Sequence, residues 1–183
     1  MAVVTRIATD EATVIVASAA AGDVAAFTAI VRANHEDMRR VCVVVTSDPG
    51  IADDAVASAW SIAWRKLGSL RDPARLRPWL VSIAVNEARQ LLRARNRRSL
   101  LEVPVGQGEE PAGGLDPASA IDSIDLRNAL ARLDPHDRGL LAMRYLAGFD
   151  ATELAYATGR SPSGTRARLA RLLQRLERDL GDG

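Results

Sequence analysis

Ser82, Asn86, Arg89, Arg93 and Arg97 recur at three- and four-residue spacing within RPWLVSIAVNEARQLLRARNRR, the stretch from Arg77 to Arg98. On a helix turning about 100° per residue they share one side, while Leu80, Ala84 and Leu91 take the other. The stripe opens with neutral hydrogen-bonding groups and closes with guanidinium groups. That gradient suits reading a base at one end and gripping phosphates at the other.

A second constellation lies near the C-terminus. Leu169, Leu172, Leu173, Leu176 and Leu180 form a packing stripe on a helix running to about Leu180, and Ser163, Gly164, Ala167, Arg168, Arg171 and Arg175 point away from it. Ahead of it, Asp150 to Thr158 reads as a short helix with a capping-box-like entry at Glu153, followed by the turn Gly159-Arg160-Ser161-Pro162. Short helix, tight turn and second helix make a helix-turn-helix, whose second helix can enter a major groove. An Arg-rich solvated face is the plain alternative; taken with the turn chemistry, DNA contact is the better reading.

These faces need elements to hold them. Asp10 to Ala21 reads as a short helix ended near Gly22, and Asp23 caps a second helix with Val24, Phe27, Ile30 and Val31 on its apolar face. Met38, Val41, Cys42 and Val45 resume that face, with Cys42 read as core and His35 as a solvated residue. Ser47-Asp48-Pro49-Gly50 is a turn into a helix from Ile51 to Leu67, whose Asp53 and Asp54 lie in the first turn. Carboxylates there favour the helix dipole, and partner binding is the sharper alternative. Gly68 to Pro78 reads as a loop leading into the stripe. After residue 117, Ile121, Ile124, Leu126, Leu130 and Leu133 mark a helix, and Pro135 opens another that Gly148 closes. His136 falls in its first turn and reads as exposed.

Composition narrows the classes. Hydrophobic residues make up 48% but aromatics only 4%, so the core is built from Ala, Leu, Val and Ile and favours helix packing. The net charge of +1 is unevenly spread: 14 Lys+Arg against 10 Asp+Glu up to Arg98 (+4), none against 6 from Ser99 to Asp125 (−6), and 10 against 7 thereafter (+3). Residues 102–117 are rich in Gly, Pro and Glu and read as a flexible acidic linker between two domains. Of 24 basic residues only Lys66 is not Arg; this suits bidentate phosphate contacts, although a GC-rich genome produces the same bias. One cysteine and two separated histidines give no catalytic set and no zinc spacing, so neither an enzyme nor a metal or cofactor is expected. Neither a signal peptide nor a membrane span is read, and a reducing cytoplasm fits.

Taken together, the two halves resemble the extracytoplasmic-function sigma factors, the small bacterial sigma factors of the sigma-70 superfamily with only regions 2 and 4. Region 2 resembles AAFTAIVRANHEDMRRVCVVV, IADDAVASAWSIAWRKL with the loop SLRDPARLRPWL, and IAVNEARQLLRARNRR. Region 4 resembles LRNALARLDPHDRGLLAMRYLAGFDATELAYATGRSPSGTRARLARL, so the likeness covers nearly all of Gly22 to Leu180. It implies an all-α fold of two small helical domains: region 2 over residues 1–98, a flexible acidic linker over 99–117, and a region 4 helix-turn-helix over 118–183.

The resemblance also assigns roles. Asp53, Asp54 and Arg65 would dock on the β′ clamp helices of core RNA polymerase, with the β flap as a further contact. Arg77, Trp79, Ser82, Asn86, Arg89, Gln90, Arg93 and Arg97 would open and read the −10 element. Among them Asn86 helps hold a flipped non-template base, and Arg89, Arg93 and Arg97 hold phosphates. Ser163, Arg166, Ala167, Arg168 and Arg171 would read the −35 element, and an anti-sigma factor is the expected restraining partner. The chain departs from the family pattern at Gln90, Ser58, Thr158, Arg160 and Gly164-Thr165. A stand-alone helix-turn-helix regulator and a protein-interaction module are the rival readings.

Overall fold

Four helices begin on an aspartate, because the first amides of a helix lack partners inside it and a carboxylate can supply one. In the computed structural model, which describes residues 12–101 and 124–181, α1 covers 12–20 and is followed by α2, Val24–Thr46. Asp23 accepts from the amides of Ala25 and Ala26 at 2.8 and 3.1 Å to start α2. Asp48 accepts from Ile51 to start α3, Pro49–Lys66. Asp134 accepts from His136 at 2.7 Å ahead of α6, Pro135–Tyr145. Asp150 and Glu153 close a full capping box at α7, Ala151–Thr158. Between these lie α4, Leu76–Leu101, and α5, Ile124–Ala131; α8, Pro162–Gly181, completes the order, and no strand occurs among the described residues.

The apolar residues on α2, α3 and α4 pack as a three-helix unit. Met38, Val41, Cys42 and Val45 meet Ala52, Val56, Ala59 and Ala63 and the α4 face of Leu80, Val81, Ala84, Val85 and Ala88, all buried. Alanine fills most of α3's inner face, which lets the helices approach closely. A second group gathers Leu133, Leu140, Met143, Phe149, Leu154, Leu172 and Leu176 from α5 to α8 and the adjoining turns. The two groups join into one continuous buried cluster, with α6 against α2 and α7 against α4.

The all-α class is as expected, and local details differ. The segment read as a loop from Gly68 to Pro78 holds two 3-10 turns, Leu67–Ser69 and Pro73–Arg75, the latter capped by Asp72, and α4 already starts at Leu76. Proline at position 78 fits there because the first turn needs no amide donor. At its other end α4 continues to Leu101, past the expected boundary at residue 98. The expected acidic linker lies outside the described residues from 102 onward, as does the expected helical stretch 118–123. Among the described residues no helix is long and apolar enough to cross a membrane.

Candidate nucleic-acid interface

The stripe on α4 divides into two parts. Asn86, Gln90, Arg93 and Arg97 are exposed, whereas Arg77, Trp79, Ser82 and Arg89 are half-buried. Short-range bonds fix several of these groups. Ser82 Oγ donates to the Trp79 carbonyl at 2.7 Å, and Gln90 Nε2 donates to Glu87 Oε1 at 3.0 Å. Arg77 donates through Nε and Nη2 to Asp37 Oδ2 at 3.0 and 2.6 Å, and its guanidinium lies 5.2 Å from the centre of the Phe149 ring.

Arg89 is more enclosed still. Its Nη1 donates to Asn86 Oδ1 at 3.4 Å, while its Nε is buried with no hydrogen-bond partner among the described residues. Its Nη2 lies against α6, where a Cβ on Gly139 would stand 2.7 Å away. Burial pulls the Arg89 pKa below the usual guanidinium range, opposed first by the Asp134 carboxylate. Arginine nevertheless stays charged. Asn86 and Arg89 line a cavity of about 410 Å³ with His136, Thr158, Gly159, Arg160 and Arg168. Burial, then Arg89, holds the His136 imidazole below its ordinary pKa.

The helix-turn-helix is built as the turn chemistry requires. Gly159 ends α7 at φ +66°, a left-handed conformation that suits glycine, and its amide reaches back to the Ala155 and Tyr156 carbonyls. Ser161 Oγ accepts from the Gly164 amide at 3.1 Å at the entry to α8. Ser163, Arg166, Ala167 and Arg171 are exposed on α8. Arg168 differs: it is half-buried, and its Nε donates to Asp137 Oδ1 on α6 at 2.6 Å. Of the stripe opposite, Leu172 and Leu176 are buried, and Leu180 is 41% exposed.

On α3 the capping carboxylate is Asp48. Asp53 instead accepts from Arg39 Nε of α2 at 2.8 Å, and Asp54 and Arg65 are exposed. Trp64, 41% exposed, keeps an edge contact to Phe27 at 4.8 Å between ring centres. His35 is exposed as expected, with its Nδ1 accepting from Trp60 Nε1 at 3.2 Å. Cys42 is fully buried, and burial pushes its thiol pKa up to about 12.

Several participants have no counterpart in the sequence reading. Asp37 and Phe149 hold Arg77; Gly139 and Asp134 meet Arg89; Asp137 holds Arg168. Gly139 carried a signal, since an isolated glycine inside a helical pattern is costly and implies a packing reason. The aspartates carried none, because their partners are distant in the chain.

Comparison with known proteins covers both halves. Residues 30–98 match the family described as Sigma-70 region 2. "Probable RNA polymerase sigma factor RfaY" of Xanthomonas campestris is 30% identical over 84% of this chain, which spans 40% of that protein's length. "ECF RNA polymerase sigma factor SigM" of Mycobacterium tuberculosis is 28% identical, covering 91% of this chain and 83% of that one. In three dimensions the fold is shared with the sigma factor RpoE of Bartonella quintana, solved in complex with the anti-sigma factor NepR, at a TM-score of 0.69 and 22% identity over 85% of this chain and 96% of that one. CnrH, solved with the cytosolic domain of CnrY, gives a TM-score of 0.66 at 22% identity over 92% and 96%.

Proposed function

We propose that this chain is an extracytoplasmic-function sigma factor of the sigma-70 superfamily, one that binds core RNA polymerase and directs promoter-specific initiation. In this reading residues 1–98 form the unit that meets polymerase and the −10 element, and residues 118–183 the unit that reads the −35 element. The outer face of α3, with Asp53, Asp54 and Arg65, docks on the β′ clamp helices; α4 separates and reads the strands; α8 enters the major groove. The β flap is proposed as a further contact on polymerase.

The observation that carries the reading is the order of groups along α4. Exposed Asn86 and Gln90 are followed by exposed Arg93 and Arg97 on the same helix, inside the segment that matches region 2. Unstacking a base costs a few kcal/mol, which contacts to the flipped base and to phosphates must offset. Amide side chains can supply the first and guanidinium groups the second. On α8, an arginine can grip a guanine edge with two hydrogen bonds. The work is binding and strand separation in the cytoplasm, with no cofactor, and an anti-sigma factor is the proposed restraint.

The test is transcription in vitro with purified core polymerase, on promoters recovered by sequencing the DNA bound by the complex. Core-dependent initiation at a discrete start site is expected. Specific duplex binding without polymerase, together with no binding to core, would instead identify a stand-alone helix-turn-helix regulator.

A further inference from the structure

The cavity of about 410 Å³ lined by α4, α6, α7 and α8 gathers positive charge from three directions. Arg89 of α4, Arg160 of the turn after α7 and Arg168 of α8 all line it. Of the three, Arg168 is paired with a carboxylate, its Nε donating to Asp137 Oδ1 at 2.6 Å. Arg160 is exposed, and its side chain has no hydrogen bond or ion pair among the described residues. Arg89 keeps one long bond to Asn86, and its buried Nε lacks a hydrogen-bond partner among the described residues. Asp134 acts on Arg89 from a distance while its Oδ1 is engaged by the His136 amide.

The rest of the wall suits an anion as well. His136 lies in the first turn of α6, the end where a helix carries partial positive charge. The opposite charge at the end of α7 is muted: the Leu154 carbonyl accepts from Thr158 Oγ1 at 2.7 Å, and the Ala155 carbonyl accepts from the Gly159 and Arg160 amides. At about 30 Å³ per water of the liquid, the space equals on the order of a dozen waters, far more than a single phosphate fills. Leu140 and Ala157 add apolar wall, and the Asn86 amide can both donate to and accept from the edge of a heterocycle.

We propose that this cavity binds a diphosphate group, carried by a nucleoside diphosphate or free as pyrophosphate, with Arg89, Arg160 and Arg168 on its oxygens. A guanidinium fork matches a pair of phosphate oxygens, and forks reaching in from three elements suit two linked phosphates better than one. The bound anion would tie α4, α6, α7 and α8 together through one ligand and give the chain a response to a small metabolite. The site stands on the cavity and its charges, so it does not depend on the sigma-factor reading.

The test is isothermal titration calorimetry on the full chain, in magnesium-free buffer at a fixed ionic strength of about 0.15 M. Pyrophosphate, ADP and GDP are compared with inorganic phosphate and sulfate. At least one diphosphate is expected to bind about tenfold or more tightly than either single anion. A nucleotide that binds more tightly than pyrophosphate identifies the source as a nucleoside diphosphate; one that does not identifies it as the free anion. Arg160→Ala, at an exposed position, should weaken the diphosphate about tenfold. Arg168→Ala should weaken it further, since it also leaves Asp137 without its partner. Arg178→Ala removes the same charge from an exposed site on α8 about 15 Å farther along the helix, and should stay within about twofold.

Circular dichroism checks that each variant is folded. Diphosphates binding no more tightly than phosphate or sulfate would overturn the site, reducing it to a general attraction for anions. Equal losses in Arg160→Ala and Arg178→Ala would overturn it too, by assigning the affinity to net charge. Should Arg168→Ala not fold, the comparison of Arg160→Ala with Arg178→Ala decides the matter. Failure of the chain to bind core polymerase would count against the functional reading and leave these results as they stand.

Discussion

The arginines of α4 and those of α8 sit on similar helical faces, and the fold treats them differently. On α8, Arg166 and Arg171 stand in solvent, because this last helix packs along one stripe and, among the described residues, nothing covers its back. On α4, Arg77 and Arg89 are sandwiched, because the helix is packed by α2 and α3 on one side and meets α6 and α7 on another. Only beyond residue 89 does α4 leave this enclosure, and there Arg93 and Arg97 are as exposed as those on α8. Residue type and periodicity describe a face; what occupies the space in front of it is decided by tertiary packing.

The most forceful way to break this contrast is Phe149→Ala. The ring is fully buried and also faces Arg77. Its loss should lower unfolding stability by about 3–5 kcal/mol, measured by urea titration. A loss under about 1 kcal/mol would mean that the covering unit is not packed as described.

The exposed side of the contrast is sharpened by Arg171→Ala. Stability should stay within about 0.5 kcal/mol, while the holoenzyme loses about 1–3 kcal/mol of discrimination at one −35 position. Unchanged preference across −35 variants removes Arg171 from the reading surface.

Asn86→Ala tests the boundary between the covered and open parts of α4. Permanganate reactivity of melted −10 thymines should fall about tenfold, in keeping with the roughly 1–3 kcal/mol of a good base contact, with core affinity unchanged. Equal losses in both would rule out a base-holding role.

A smaller effect is expected from Asp48, which caps α3 and also pairs with Arg95. The Ile51 amide, then Arg95, holds its carboxyl below the usual carboxylate range, against the opposing effect of burial. A depressed acid stabilises the fold above its unfolded pKa, about 3.9, and that stability is lost as pH falls through the lower folded value. Asp48→Ala should therefore cost about 1 kcal/mol at pH 6, with the gap to wild type narrowing below about pH 4. A pH-independent gap would assign the effect to packing.

The smallest effect separates two uses of one carboxylate. Asp53→Ala and Arg39→Ala each break the same exposed ion pair and should each change stability by less than about 1 kcal/mol. If polymerase reads Asp53, only its removal markedly weakens core binding in a pull-down titration. Matching losses in the two variants would leave only a surface ion pair.

Much of the fold was legible because its signals are local. Asp23 and Asp150 each announce a helix start, and Gly159 a helix end, through bonds that span at most five residues. The buried positions of α2 and α4 follow from spacing in the same way. What escaped notice depends on partners far along the chain: Asp37 is 40 residues from Arg77, and Ser47 is 91 from Arg138. The Asp53-Asp54 pair illustrates the limit, since its position suggests capping while Asp48 does the capping and Asp53 turns to Arg39. Arg168 is a similar case, placed on the outer face by periodicity but drawn inward by Asp137.

The burial of Cys42 bears on how this molecule can receive signals. Burial, which pushes the thiol pKa up to about 12, keeps the sulfur protonated at neutral pH, and the thiolate is the form that reacts with peroxide or a disulfide. The chain's single cysteine is therefore chemically silent in the folded state. Oxidation at this thiol would first require the α2–α3–α4 core to open.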